Sequence, residues 1–470
     1  MSDPLLLELA RIVGFGHVLT GEAAEPYLTD WRKLVQGRAR VVVRPADTEQ
    51  VAASMQACAA AGVPVVPQGG NTGQVAGGVP GPEGEAVLLS LARLNRIRSI
   101  DAENDTITVE AGCVLQAVQE AAAAAARLFP LSLGAEGSCM IGGNLASNAG
   151  GTAVLRYGNA RELCLGLEVV LPDGEVWHGL RGLRKDNSGY ALRDLFIGSE
   201  GTLGIITAAT LKLFPLPAAR CTALAALPSI HEAGRFLARC RAGFHATLTG
   251  FELMSGDCLR LVTATYPQQR APFAALEAPW YVLLEISDAE DEGHATARLE
   301  AVLGAALEAG EIADVAIAQN IAQTQAFWLL RESITLALAE DGKCIKHDVS
   351  LPVSTVPDFV ESTDAALQAR FPGLRNFTFG HLGDGNLHYN VARPAEADDA
   401  TMHAMQPGLS AIVHDAVHAL GGSISAEQGI GRVRTTDLAR YKQPIELRLM
   451  RAIKQAIDPR GLMNPGVLLP

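Results

Sequence analysis

The chain has 470 residues, of which 48% are apolar and 19% charged, which fits a globular protein of two or three domains and excludes a disordered one. Its formal net charge of −13 argues against a nucleic-acid-binding surface and against one for anionic lipid. No uninterrupted apolar run reaches about 18 residues, so no transmembrane helix is expected.

The first residues, MSDPLLLELARIVGF, carry an acid early and lack a basic n-region, so no signal peptide is expected. Cysteines 58, 113, 139, 164, 221, 240, 258 and 344 form no Cys-x-x-Cys and are expected to be reduced, mostly buried thiols of a cytoplasmic protein. In chain order, residues 1–36 read as helix and then irregular chain. Residues 40–44 read as a strand, 48–61 as an amphipathic helix capped by Asp47 or Thr48, and 63–66 as a second strand. Strands follow over 86–91, 97–101 and 106–111, then an alanine-rich helix over 115–128. Residues 164–171 and 176–178 flank a Pro172-Asp173-Gly174 turn. A short helix is expected from Arg193 and a strand over 204–213, after which Pro215 and Pro217 mark a boundary.

Two glycine-rich runs stand out. The first holds Pro67, Gln68, Gly69, Gly70, Asn71, Thr72, Gly73 and Gln74 and continues to Gly78 directly after a strand. The second spans Gly137, Ser138, Ile141, Gly142, Gly143, Asn144, Ser147, Asn148, Gly150 and Gly151. Glycine permits positive φ and close approach of a ligand, and successive amides form anion-binding nests. Neither run is a P-loop, and neither is a clean dinucleotide fingerprint opening a helix. The runs fit either tight turns between packed elements or two loops that hold one large dinucleotide.

These runs, with Tyr157-Gly158, Asp186-Asn187-Ser188-Gly189-Tyr190 and the block from Gly198 to Thr207 (Glu200, Gly201, Gly204, Ile205 and Ile206 within it), resemble the flavin domain of the vanillyl-alcohol oxidase family. The second half resembles the branch of D-2-hydroxyglutarate dehydrogenase, D-lactate dehydrogenase and the glycolate oxidase flavin subunit. The resemblance covers about residues 30–470. It implies an α+β chain with a two-lobed, PCMH-type FAD-binding domain over 1–216 and an α+β substrate cap over 217–426. A segment over 427–470 would return to the flavin domain, with Asn464 among the FAD contacts. FAD is expected to be noncovalent, since neither run has a histidine or cysteine placed like the family's usual attachment.

From residue 221 to about 424, strand-like runs (222–227, 281–286, 315–318, 343–349, 377–379, 387–391) alternate with helices (230–242, 291–309, 320–339, 356–369, 399–420). This reads as an antiparallel sheet with helices on one face. Within it, Gly383-Asp384-Gly385-Asn386 has turn composition. A hairpin there sets His381 against His388, and opposed residues have Cβ atoms about 4.5–5.5 Å apart. The two imidazoles can then reach one metal, with Asn390 on the same face and Glu427 as a third ligand. Two ordinary hairpin histidines are the alternative. Such a set leaves coordination positions open and suits Zn²⁺, with Fe²⁺, Mn²⁺ or Co²⁺ also accommodated. In the resembled enzymes these three positions are ligands, and Arg331, Thr335 and Lys346 bind substrate carboxylate. Arg331 and Thr335 are spaced i, i+4 on the expected helix. One departure is Gln428, where many relatives carry a histidine that is a candidate base.

The resemblance implies oxidation of a D-2-hydroxy acid, D-2-hydroxyglutarate first, to the 2-oxo acid. A metal would bind the 2-hydroxyl and flavin N5 would accept the hydride. D-lactate or glycolate oxidation, a flavin-bearing electron-transfer subunit of a larger complex, and a flavin-free metal hydrolase are the alternatives. An electron acceptor such as electron-transfer flavoprotein or quinone is expected, and a homodimer is one expected assembly.

Overall fold

The carboxylate of Asp47 accepts a hydrogen bond from the Gln50 amide at 2.8 Å, so the helix Thr48–Ala61 begins there; it ends on Gly62 at φ 67°. This helix packs its buried Val51, Met55 and Cys58 against a four-stranded sheet ordered Val18–Leu19, Val41–Val43, Val87–Ser90, Val65–Gln68. The last three of these strands are parallel. The computed structural model describes residues 3–394 and 398–469; Met1, Ser2 and Pro470, at the ends of the expected first helix and tail, lie outside them.

Two compact units are present. One comprises Met1–Gly150, Gly158–Leu216 and Glu427–Pro470, and the other Gly151–Tyr157 and Pro217–Ala426. The first unit adds a five-stranded antiparallel sheet, ordered Ile97–Asp101, Thr106–Glu110, Ile205–Lys212, Cys164–Val170, Val176–Gly179. Its last segment extends the parallel sheet: Val65 N donates to Leu462 O and Asn464 N to Val65 O, each at 2.8 Å. Two expected elements are shorter than the sequence pattern indicates. The first helix covers only Pro4–Val13, because Gly14 turns the chain at φ 88°. The alanine-rich helix stops at Ala124, since Ala126 takes φ 56° and the Arg127 guanidinium is tied to Asp105 and to the Ala102 carbonyl.

The second unit is built on a seven-stranded antiparallel sheet. Its order is Asp314–Ile317, Ala219–Leu227, Trp280–Asp288, Leu248–Ser255, Arg375–His381, Asn386–Ala392, Cys344–Ser350. Helices cover both faces, not one. Ile230–Phe244, Glu292–Glu308, Val356–Arg370 and Asp399–Ala419 form one core with it. Gly256–Thr265, Ile321–Glu332 and Ile334–Asp341 form the other. Strands buried on both sides lose the polar alternation that marks a half-exposed sheet. The segment Gly151–Tyr157, expected with the flavin loops, groups with this unit. Its helix Val154–Tyr157 packs on strand Leu248–Ser255, and Arg156 donates to the Ser287 carbonyl at 2.9 Å. No helix among the described residues is long and apolar enough to cross a membrane.

Candidate active site

Strand register gathers the polar residues of the second unit on one face. Glu252 stands opposite His381, Phe379 opposite His388, Asp348 opposite His388 on its other side, and Lys346 opposite Asn390. Side chains alternate across a strand, so all of these share a face. The hairpin differs from expectation by two residues. Its loop is Leu382–Gly385, closed by Asp384 N on His381 O and Gly385 N on Leu382 O, so Phe379 and not His381 opposes His388. The histidines are diagonal neighbours, still on one face, with ring centroids 5.6 Å apart.

Glu252 is fully buried and touches two of the site residues. Its Oε1 lies 2.7 Å from His381 Nδ1, and its Oε2 accepts from Arg331 Nε at 3.0 Å and forms an ion pair with Nη2 at 2.8 Å. Burial alone would raise this carboxyl, but the adjacent His381 and Arg331 hold it down at about 2. The Arg331 guanidinium also lies over the Phe379 ring, 4.6 Å from its centroid. With Nδ1 turned to Glu252, Nε2 is the nitrogen that could meet a cation, and a carboxylate behind the other nitrogen is the arrangement that orients metal-bound histidines.

Burial pushes the His388 imidazole down to about 3, with Asp348 opposing the shift and His381 and Arg331 adding to it. His388 is therefore a neutral nitrogen base at ordinary pH, as a metal ligand must be. Asp348 Oδ1 lies 3.6 Å from His388 Nδ1 and accepts from Asn386 Nδ2 at 2.9 Å. Asp348 Oδ2 accepts from the Ala426 amide at 3.2 Å, and Glu427 is the next residue in the chain. One ring nitrogen of each histidine and a carboxylate oxygen of Glu427 all lie within 4.8 Å of one another. Two imidazoles and a carboxylate, with acids behind both rings, fit a borderline divalent cation such as Zn²⁺.

Other expected residues are placed less simply. The helix expected over 320–339 is interrupted at Ser333, whose hydroxyl accepts from Gln269 Nε2 at 2.9 Å, so Arg331 and Thr335 stand on two consecutive helices. The acidic partner of Arg331 is Glu252. Asn390 Nδ2 donates to the carbonyls of Phe377 and His388, which leaves its own carbonyl oxygen to offer. His347 points to the opposite face, where Nδ1 lies 3.1 Å from Tyr389 O and Nε2 lies 3.0 Å from Ser410 Oγ. Sequence reading missed Glu252 and Asp348; the strand Leu248–Ser255 that carries Glu252 was not read at all.

In the first unit the two glycine loops enclose a cavity of about 990 Å³ including its mouth. Pro67, Gln68, Gly69, Gly70, Asn71, Thr72 and Gly73 line one side, and Gly142, Gly143, Asn144 and Ser147 another. Glu200, Gly201, Gly204, Ile205 and Ile206 complete it, together with Val75–Gly78, Met140, Ser199 and Gln428. The backbone amides of Gly70, Asn71, Thr72 and Gly73 have no partner among the described residues, and Asn71 takes φ 54°. Such a run is an anion nest, and it suits a pyrophosphate. The Glu200 carboxylate accepts from the amides of Ile430 at 2.8 Å and Gly431 at 2.6 Å; burial raises it and these amides oppose the rise.

Several expected flavin contacts do not line this cavity. Gln74 is not among the lining residues, and its backbone carbonyl accepts from Arg32. Gly137 and Ser138 lie behind the first loop, where the Ser138 carbonyl backs Gly70. Ile141 is buried at the start of helix Ile141–Ala146, and Asn148 accepts from the Arg161 amide. Gly150 and Gly158 lie beyond that helix, while Gly151 and Tyr157 belong to the other unit. Asn464 braces the wall from outside, donating to Gly77 O at 2.9 Å and Glu200 O at 2.7 Å.

A two-lobed domain with a glycine-lined anion cradle and a separate antiparallel cap sheet defines a flavoprotein of the PCMH type. Residues 39–179 match the family described as FAD binding domain, and residues 216–468 the family described as FAD linked oxidases, C-terminal domain. The second match spans more than half of the chain, which belongs to the FAD-linked oxidases and is a FAD-dependent oxidoreductase. It is 39% identical to the mitochondrial D-2-hydroxyglutarate dehydrogenase of Bos taurus, over all of this chain and 84% of that one. It is 40% identical to the D-2-hydroxyglutarate dehydrogenase of Xanthomonas citri pv. viticola, over all of this chain and 97% of that one. Among solved structures, p-cresol methylhydroxylase superposes with a TM-score of 0.78 at 15% identity, covering 98% of this chain and 95% of that one, which shows the fold alone.

Proposed function

We propose that the chain is a D-2-hydroxy-acid dehydrogenase acting on D-2-hydroxyglutarate, with noncovalent FAD and a divalent cation, zinc in the first place. The observation that carries this is the single sheet face that bears Lys346, Asn390, His381 and His388, with Arg331 of the helix Ile321–Glu332 paired to Glu252 of the same face. Two cationic side chains suit a dicarboxylate better than a monocarboxylate such as lactate. The relatives named above support the same substrate.

Arg331 offers Nη1, which has no hydrogen-bond partner among the described residues, to one carboxylate. Lys346, half-buried on the neighbouring strand, serves as the second cation. Glu252 orients the His381 ring, and Asp348 stands 3.6 Å behind that of His388, so that the outer nitrogens of both rings would meet a cation. A bound divalent cation supplies Lewis acidity toward the 2-hydroxyl. Bound FAD supplies the acceptor for the hydride from C2. Among the described residues no histidine or cysteine lines the glycine cavity, which supports a noncovalent flavin. The hydroxyl proton leaves to water, because Gln428 is no base and His347 points away.

Turnover of the isolated chain with an artificial acceptor dye tests this reading. D-2-hydroxyglutarate should be used with a higher kcat/KM than D-lactate or glycolate. Absence of turnover by a fully flavinated, zinc-loaded chain would favour an electron-transfer subunit instead.

A further inference from the structure

We infer that Glu252 is a positioning residue that couples cation loading at His381 to carboxylate binding at Arg331. One carboxylate is divided between the two: Oε1 faces His381 Nδ1 at 2.7 Å, and Oε2 accepts a hydrogen bond from Arg331 Nε at 3.0 Å and pairs with Nη2 at 2.8 Å. Glu252 is completely buried and Arg331 only 8% exposed, so bulk solvent screens the arrangement little. A cation on the far nitrogen of an imidazole withdraws electron density and makes the near N–H a stronger donor. The Glu252 charge is then drawn toward His381, and Arg331 is left with more uncompensated positive charge. An empty histidine site has the opposite effect, since Glu252 then neutralises Arg331 and weakens its attraction for an incoming carboxylate. The Phe379 ring beneath the guanidinium keeps it in place in both states. Buried ion pairs contribute little net stability, so a role in stability alone would not account for a carboxylate shared between these two partners.

The inference rests on the proposed roles of His381 and Arg331, and the test separates the two. FAD-loaded, metal-depleted protein is titrated by calorimetry with glutarate, which has both carboxylates and no 2-hydroxyl, in the absence and presence of excess Zn²⁺. The wild type should bind glutarate at least about 5-fold tighter with zinc, the lower end of ordinary coupling between sites. In Glu252→Gln the ratio should fall to near one, and zinc affinity measured against a competing chelator should drop about 10–100-fold. Glu252→Asp keeps the charge but is one methylene too short to touch both partners, and it should lose the coupling in the same way. Direct ligation of the metal by glutarate would survive both substitutions, so an unchanged ratio in the folded variants overturns the inference. A wild-type ratio of one overturns it as well, even if neither variant folds. A zinc-loaded wild type that binds no glutarate overturns the assignment of Arg331 itself, and the coupling with it.

Discussion

His381 and His388 sit diagonally across their hairpin, ring centroids 5.6 Å apart and planes inclined at 81°. His381 Nδ1 lies 2.7 Å from Glu252 and is hydrogen-bonded to it, while His388 Nδ1 lies 3.6 Å from Asp348, beyond hydrogen-bond length, so an acid stands behind each ring but only one is bonded to it. Neither acid is close to the glycine loops in sequence, and the cation site and the flavin cavity draw on different strands.

Metal and flavin should therefore be separable. His388→Ala should lose bound zinc and turnover together while keeping its yellow colour. Exhaustive chelation of the wild type should do the same, and zinc should restore activity. Metal content after gel filtration, with the flavin absorbance, checks this. A metal-free variant that kept full activity would remove the cation from the account.

Stability of the metal-free protein should fall in acid. His388 is held at about 3 against an ordinary 6.5, and Glu252 at about 2 against an ordinary 4.5. Both bind fewer protons in the folded chain than in the unfolded one. Their contribution is complete above about 6.5, and is lost for His388 as pH falls toward 3 and for Glu252 as it falls from 4.5 toward 2. Each group contributes a slope of up to about 1.4 kcal/mol per pH unit within its window. Denaturant unfolding between pH 6.5 and 4 should show a shallower dependence in His388→Asn than in the wild type.

The two glycine loops meet at Gly70, where a Cβ would lie 2.2 Å from the Ser138 carbonyl oxygen. Gly70→Ala must push the loops apart, which should cost about 1–3 kcal/mol and lower FAD occupancy. Melting temperature and the ratio of flavin to protein absorbance measure both effects. Acid precipitation of the wild type should leave the yellow colour in the supernatant, and a coloured pellet would show a covalent flavin.

His347 lies beside Lys346 in sequence but hydrogen-bonds Tyr389 O and Ser410 Oγ on the far side of the sheet. His347→Ala should slow turnover by well under the roughly 10²–10⁴-fold of a lost general base. Gln428→His should keep its metal and at least moderate activity. Loss of the full factor in a His347→Ala variant with normal cofactor and substrate binding would return the proton to this residue.

The hairpin was legible in the sequence because Gly383-Asp384-Gly385-Asn386 has turn composition, although the turn is Leu382–Gly385 and Asn386 opens the next strand. Its register was read two residues out, since composition marks a turn more sharply than the residues that close it. The glycine loops were legible for a similar reason: few residues tolerate the backbone they need, and Gly70 tolerates no side chain. Glu252 was not legible. It binds His381 across 129 residues of sequence, on a strand whose eight positions are all buried. A strand packed on both faces shows no alternation. The helices on both faces of the cap sheet were hidden by the same uniform burial.

The most direct test is anaerobic mixing of the FAD- and zinc-loaded protein with D-2-hydroxyglutarate, its L-enantiomer and D-lactate, following the yellow flavin absorbance. Rapid and complete bleaching by D-2-hydroxyglutarate is expected, with slower bleaching by D-lactate, none by the L-enantiomer, and a marked loss of rate with D-2-hydroxyglutarate in Arg331→Met. A flavin that stays oxidised with D-2-hydroxyglutarate, or that bleaches equally fast in Arg331→Met, would contradict the account.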